Sequence, residues 1–156
     1  MCSSDLARLR DQLALTDRQC YETLEPITTP TIPAGGDYLV TVSPGDGRFP
    51  AEYQIGGGSA TCVEETSVTV TLYTRTRTDQ TDHAERLFHD ETRGLMVLKQ
   101  KVLKALVGHV LTDIDGNELL TQHLYAMQSW RPRVDQQSNL AMTAVGFGVD
   151  YNWDLT

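Results

Sequence analysis

Between residues 62 and 111 the spacing of apolar side chains changes period once, and the rest of the chain can be arranged around that change. Val68, Val70 and Leu72 alternate with Thr69, Thr71 and Tyr73 inside a β-branched run. That period of two predicts a half-buried strand over about 63–77. Beyond the polar residues 77–81, the apolar residues Ala84, Phe88, Leu95, Leu98, Val102, Leu106 and Val110 recur at helical spacing. This stripe predicts one long amphipathic helix. Residues 79–82 can cap it, and acids in its first half (Glu85, Asp90, Glu91) with bases in its second (Lys99, Lys101, Lys104) complement its dipole. Gly94 and Gly108 weaken it and allow a bend or an early end.

Upstream, Ser3-Ser4-Asp5 can cap a first helix whose stripe is Leu6, Leu9 and Leu13. It is expected to run toward Cys20 or Leu24, bounded by Pro26. Residues 25–36 carry Pro26, Pro30, Pro33 and Gly35-Gly36, the composition of an irregular connector or surface arm. A strand is predicted over 37–43, then a turn at Pro44-Gly-Asp-Gly47. A second strand is predicted over 48–55, with Phe49, Ala51, Tyr53 and Ile55 on one face and Pro50 suiting an edge. Gly56-Gly-Gly-Ser59 breaks it, without the flanking pattern of a phosphate-binding loop.

Downstream, a strand is expected at 125–131 and a polar turn at 132–139. In the last run, Val145, Phe147, Val149, Tyr151 and Trp153 share one face, while Gly146, Gly148, Asp150 and Asn152 share the other. The two glycines let something pack closely on that second face, or let the strand bend. The order is α-β-β-β-α-β-β. It predicts a single α+β domain over 1–156: an antiparallel or mixed sheet with the long helix and the N-terminal helix on one face.

A chain of 156 residues can bury a core without staples, and 40% hydrophobic with 22% charged residues is ordinary for a globular protein. No apolar run reaches the length of a membrane span, and no secretory succession opens the chain. Cys2, Cys20 and Cys62 are few, odd in number and far apart, as expected of reduced thiols in a cytosolic setting. The net charge of −8 opposes tight binding of nucleic-acid phosphates. It suits a surface past which a polyanion must slide.

The residues offer no catalytic signature, so neither an enzyme nor a cofactor is expected. His83 and His89, six apart, fall on different sides of a helix, and His109 and His123 bring no paired ligand with them. The run from Asp113 resembles a calcium loop but fails at Glu118, where glycine is needed, and at Leu124, where a bidentate acid is needed. Asp113 and Asp115 therefore read as a surface turn. Cys62 lacks a basic neighbour in sequence to depress its pKa. Trp130-Arg-Pro-Arg133 is locally basic and aromatic: it can touch a nucleic acid or an acidic neighbouring subunit, or Trp130 can be core with Arg131 and Arg133 flanking a turn. Arg75 and Arg77 are a second arginine pair, at the end of the long strand.

The order of elements, carried by residues 68–73, the stripe 84–110 and the alternating run 145–153, resembles that of the tail terminator (tail completion) proteins of long-tailed bacteriophages. The resemblance implies a virion protein assembled in the host cytoplasm. It implies a homo-oligomeric ring, typically a hexamer, that caps the tail tube, stops its polymerisation and docks on the head connector or adaptor. DNA would pass through its lumen without specific binding, and no membrane would be involved. Arg75, Arg77, Trp130, Arg131 and Arg133 are then the expected interface residues, pairing with acids on the neighbour. Two other readings stand beside it: a different neck or tail component, such as a head-completion or tail-tube protein, and a small ligand-binding or enzyme domain, which would need a deep pocket with converging polar groups.

Overall fold

The computed structural model describes residues 3–25, 27–50, 61–75, 94–110, 123–135 and 138–154. Among these residues two helices, α1 (Ser3–Leu13) and α2 (Leu95–Leu106), accompany six strands. These are β1 (Cys20–Glu22), β2 (Tyr38–Pro44), β3 (Thr61–Arg75), β4 (Tyr125–Ser129), β5 (Arg133–Asp135) and β6 (Leu140–Asp154). The sheet order is β1-β2-β3-β6-β4, with β5 also paired to β6. β1 runs parallel to β2 and every other pairing is antiparallel, so the sheet is mixed, within the expected α+β class.

β3 and β6, the two longest strands, form its spine in unbroken register from Thr61↔Asp154 to Arg75↔Leu140. Opposed residues face the same side, which makes the alternation concrete. Val40 and Val42, Val68, Val70 and Leu72, and Val145, Phe147 and Val149 are buried under the helices. Leu6, Leu9 and Leu13 from α1 and Leu95, Leu98, Val102, Ala105 and Leu106 from α2 complete that core. Each fully buried Leu or Val contributes about 1.5–3 kcal/mol relative to exposure. Arg8 Nε donates to the Ala105 carbonyl at 2.9 Å, tying the two helices together.

Several boundaries differ from the sequence reading. α1 stops at Leu13 because Ala14 takes a left-handed conformation, φ 52°, and Leu15 N–H closes back on the Arg10 carbonyl at 2.8 Å. The residues expected to prolong it instead form a turn and then β1, whose parallel pairing to β2 no local pattern announces. The long helix is not continuous through Gly94, which is extended at φ −64°, ψ 139°. α2 starts just after it and ends before Gly108, whose φ of 78° favours glycine. The expected helical residues 82–93, the calcium-like run from Asp113, and most of the expected strand 48–55 lie outside the described residues. Of that last strand, Arg48 makes a bridge to Glu65. Within the expected polar turn 132–139, residues 133–135 form β5, because Val134 packs against the main core.

The connector crosses the face of the sheet away from the helices. Ile32 is buried there with Leu39, Tyr73 and Leu140, a second small core. Arg75 Nη2 donates to the Ile32 carbonyl at 2.8 Å and the Pro33 carbonyl at 3.4 Å, so the arm is held by the end of β3.

Candidate functional site

The face opposite the helices carries the residues left over from the core. In register across the sheet they are Thr41 and Ser43 on β2, Thr69, Thr71 and Tyr73 on β3, and Met142, Ala144, Gly146 and Gly148 on β6. Threonine fits a pleated strand through its β-branch, and Thr41, Ser43 and Thr71 are buried on this face. Between this floor, Ile27 of the arm and the β4–β5 connection lies a cleft of about 440 Å³. Trp130, Arg131 and Arg133 stand on its wall.

Trp130 is not in the core. Its backbone N–H donates to the Ala144 carbonyl at 3.0 Å, and the Thr143 hydroxyl donates to its own carbonyl at 2.8 Å, which fixes the chain. Its indole meanwhile stays 38% exposed. The glycines of β6 explain where it lies. A Cβ on Gly146 would come 3.4 Å from Cη2 of the indole. A Cβ on Gly148 would come 2.5 Å from Cζ of Tyr125 and 2.6 Å from Sδ of Met127, closer than real contacts allow. The close packing expected at these glycines is thus supplied by aromatic and thioether side chains of the edge strand and its continuation. Tyr125, Met127 and Trp130 are all exposed and make an apolar ridge along that edge, with exposed Met142 on β6.

Arg131 and Arg133 are exposed, and neither pairs with a carboxylate among the described residues. Nearby Asp135 accepts a hydrogen bond from the Ser138 hydroxyl at 2.5 Å. Arg75 serves the arm as described above, and Arg77 lies outside the described residues. Of the five residues singled out from sequence, the structure therefore brings three together: Trp130, Arg131 and Arg133.

A second feature of this face escaped the sequence reading. At the other end of the sheet Glu65 stands directly opposite Asp150, a like-charged pair. Arg48 donates to Glu65 with Nε and Nη2 both at 2.5 Å, and exposed Asp46 lines the same hollow, which Tyr125 and Met127 bound on the other side. The missing signal was register: Glu65 and Asp150 are 85 positions apart in sequence. Asp150 Oδ1 is buried with no hydrogen-bond partner among the described residues. Burial first, and then the charge of Glu65, raises the Asp150 carboxyl above its ordinary 3.8. A raised acid penalises the fold once ionised: the penalty is absent below the ordinary value, grows as pH climbs through the raised one, and persists above it. Asp150→Asn should therefore melt higher than the parent at pH 7, and the difference should vanish at acid pH. Equal melting temperatures at both pH values would contradict this.

Elsewhere, Cys20 is fully buried and unbridged, its thiol pushed up to about 11 by burial against the lowering effect of Arg10. A thiol so protonated is a poor nucleophile. Among the described residues, no group of three or more His, Cys, Asp or Glu side chains is arranged to hold a metal ion, and no helix is long and apolar enough to cross a membrane.

Among solved structures, a chain of the virion of a native gene transfer agent particle matches this one with a TM-score of 0.47 and 18% sequence identity, over 93% of this chain and 84% of that one. It is a likeness between two chains and assigns this one no activity, partner or place in a particle. No family model matches the chain, and no curated protein matches it.

Proposed function

We propose that this protein is a structural component of a phage-like particle, and that it forms a ring at the neck end of the tail. There it would end growth of the tail tube and join tail to head, a role of shape and self-association without bond-making chemistry. The observation that carries the reading is the edge formed by β4 and the Trp130–Arg133 connection. It presents Tyr125, Met127 and Trp130 to solvent beside two guanidinium groups. β4 is the last strand of the sheet among the described residues; such a strand offers backbone groups to another chain, and an exposed apolar ridge gives that contact hydrophobic area. The tail-terminator-like order of elements supports the same reading. So does the charge of −8, since acids around an opening let DNA slide without capture.

A ring needs a heterologous contact that closes on itself, whereas one that does not close builds a filament. Native mass spectrometry and electron microscopy of the purified chain over a range of concentrations should therefore show a closed particle of one size. Filaments of unlimited length would favour a tail-tube role, and a monomer at every concentration would overturn the proposal.

A further inference from the structure

The sheet face away from the helices is polarised along its strands, and its two ends complement each other. One end holds the cleft walled by Arg131 and Arg133. The other holds three carboxylates, Asp46, Glu65 and Asp150, against the one guanidinium of Arg48. On β3 the ends are marked by Thr71 and Glu65, six residues apart, or about 20 Å at the rise of a strand. Between them runs the apolar ridge of Tyr125, Met127 and Trp130. Each pole is costly to bring against its own kind and favourable against the other, so two copies sharing this face are steered into a defined offset.

We propose that this face is the seam between neighbouring copies of the chain, with the Arg131/Arg133 cleft of one copy taking the Asp46/Glu65/Asp150 corner of the next. The proposal rests on the ring reading and adds the half of the contact which that reading left open. The occupant is a second copy because the complementary surface is present on the same molecule, at opposite charge and on the same face. Trp130 beside the basic pole of one copy and Tyr125 and Met127 beside the acidic pole of the next then meet within the contact, and the charged poles set its direction. That arrangement is head-to-tail: each copy uses one pole toward each neighbour, and the chain of contacts continues until it closes.

Two variants test it. Arg131→Glu with Arg133→Glu gives a copy acidic at both poles, and Asp46→Lys with Glu65→Lys gives a copy basic at both. Each, once its circular dichroism melt shows that it is folded, should assemble about 10-fold more weakly than the parent by mass photometry. Mixed in equal amounts they should recover assembly, each acidic pole meeting a basic one. As Glu65 pairs with Arg48, Asp46→Lys by itself, which leaves the corner with two cations against Glu65 and Asp150, replaces the double variant if that one melts low, and should weaken assembly by less. A parent that assembles while every variant assembles equally well would place the seam elsewhere and leave the ring reading intact. Assembly that stops at dimers would mean that the face meets its own copy symmetrically, and the head-to-tail seam falls. A parent that stays monomeric, or that binds another acidic protein of the particle through Arg131 and Arg133 in place of its own copy, overturns the seam too; monomers alone also overturn the ring.

Discussion

Phe147→Ala is expected to lower the free energy of unfolding by about 3–5 kcal/mol, a large share of the total for a domain of this size. The side chain is fully buried and opposes Val68 across the β3–β6 spine. It belongs to the cluster that Leu9 of α1 and Leu98 and Val102 of α2 also enter. Removing the ring leaves a void between sheet and helices that rigid neighbours on both sides cannot fill, so the cost exceeds simple transfer of the lost carbons. Thermal and denaturant melts will check it. A loss under about 1 kcal/mol would mean that the two layers collapse more freely than the packing implies.

Trp130→Ala separates assembly from folding. The indole is exposed over more than a third of its surface and lies on Gly146, outside the helix-side core. Its removal should change the stability of one copy by no more than about 1 kcal/mol. If the edge is an interface, the same change should weaken assembly by about 2 kcal/mol or more, on the order of 30-fold, because aromatic anchors at the centre of a contact carry a disproportionate share of its energy. Mass photometry beside a melting curve reads both effects. A lower melting temperature with undiminished assembly would make Trp130 a packing residue and remove it from the interface. The two variants should thus fail in opposite ways: Phe147→Ala as a monomer, Trp130→Ala as an assembly.

The elements best foreseen are those whose own side chains repeat. The alternation at 68–73 and 145–149, and the stripes Leu6-Leu9-Leu13 and Leu95-Leu98-Val102-Leu106, appear in the structure as the buried faces they describe. Weak or conflicting local signals account for the misses. The segment after Leu13 has helical composition, yet a left-handed Ala14 and pairing to β2 make it turn and strand. Gly94, expected to weaken the helix, is where α2 begins, because its extended backbone makes it the N-cap before Leu95. The polar turn at 132–139 yielded three residues to β5, since one partly buried valine paired along β6 outweighs its polar neighbours.

At the candidate site the division is similar. The Trp130-Arg-Pro-Arg133 run was visible as a basic aromatic patch, but whether Trp130 was core or surface had no local answer. The glycines on the opposite strand decide it, by giving the indole a flat bed outside the core. The acidic corner had no sequence signature at all, because Asp46, Glu65 and Asp150 converge through strand register and a turn.

Sequence by itself determined the α+β class, the two spine strands and the helical faces that cover them, because periodicity is a local property written in neighbouring side chains. Tertiary structure decided the order of strands, the arm across the second face, and the opposition of a basic cleft to an acidic corner. Those depend on which distant residues the sheet sets side by side, and no window along the chain contains both.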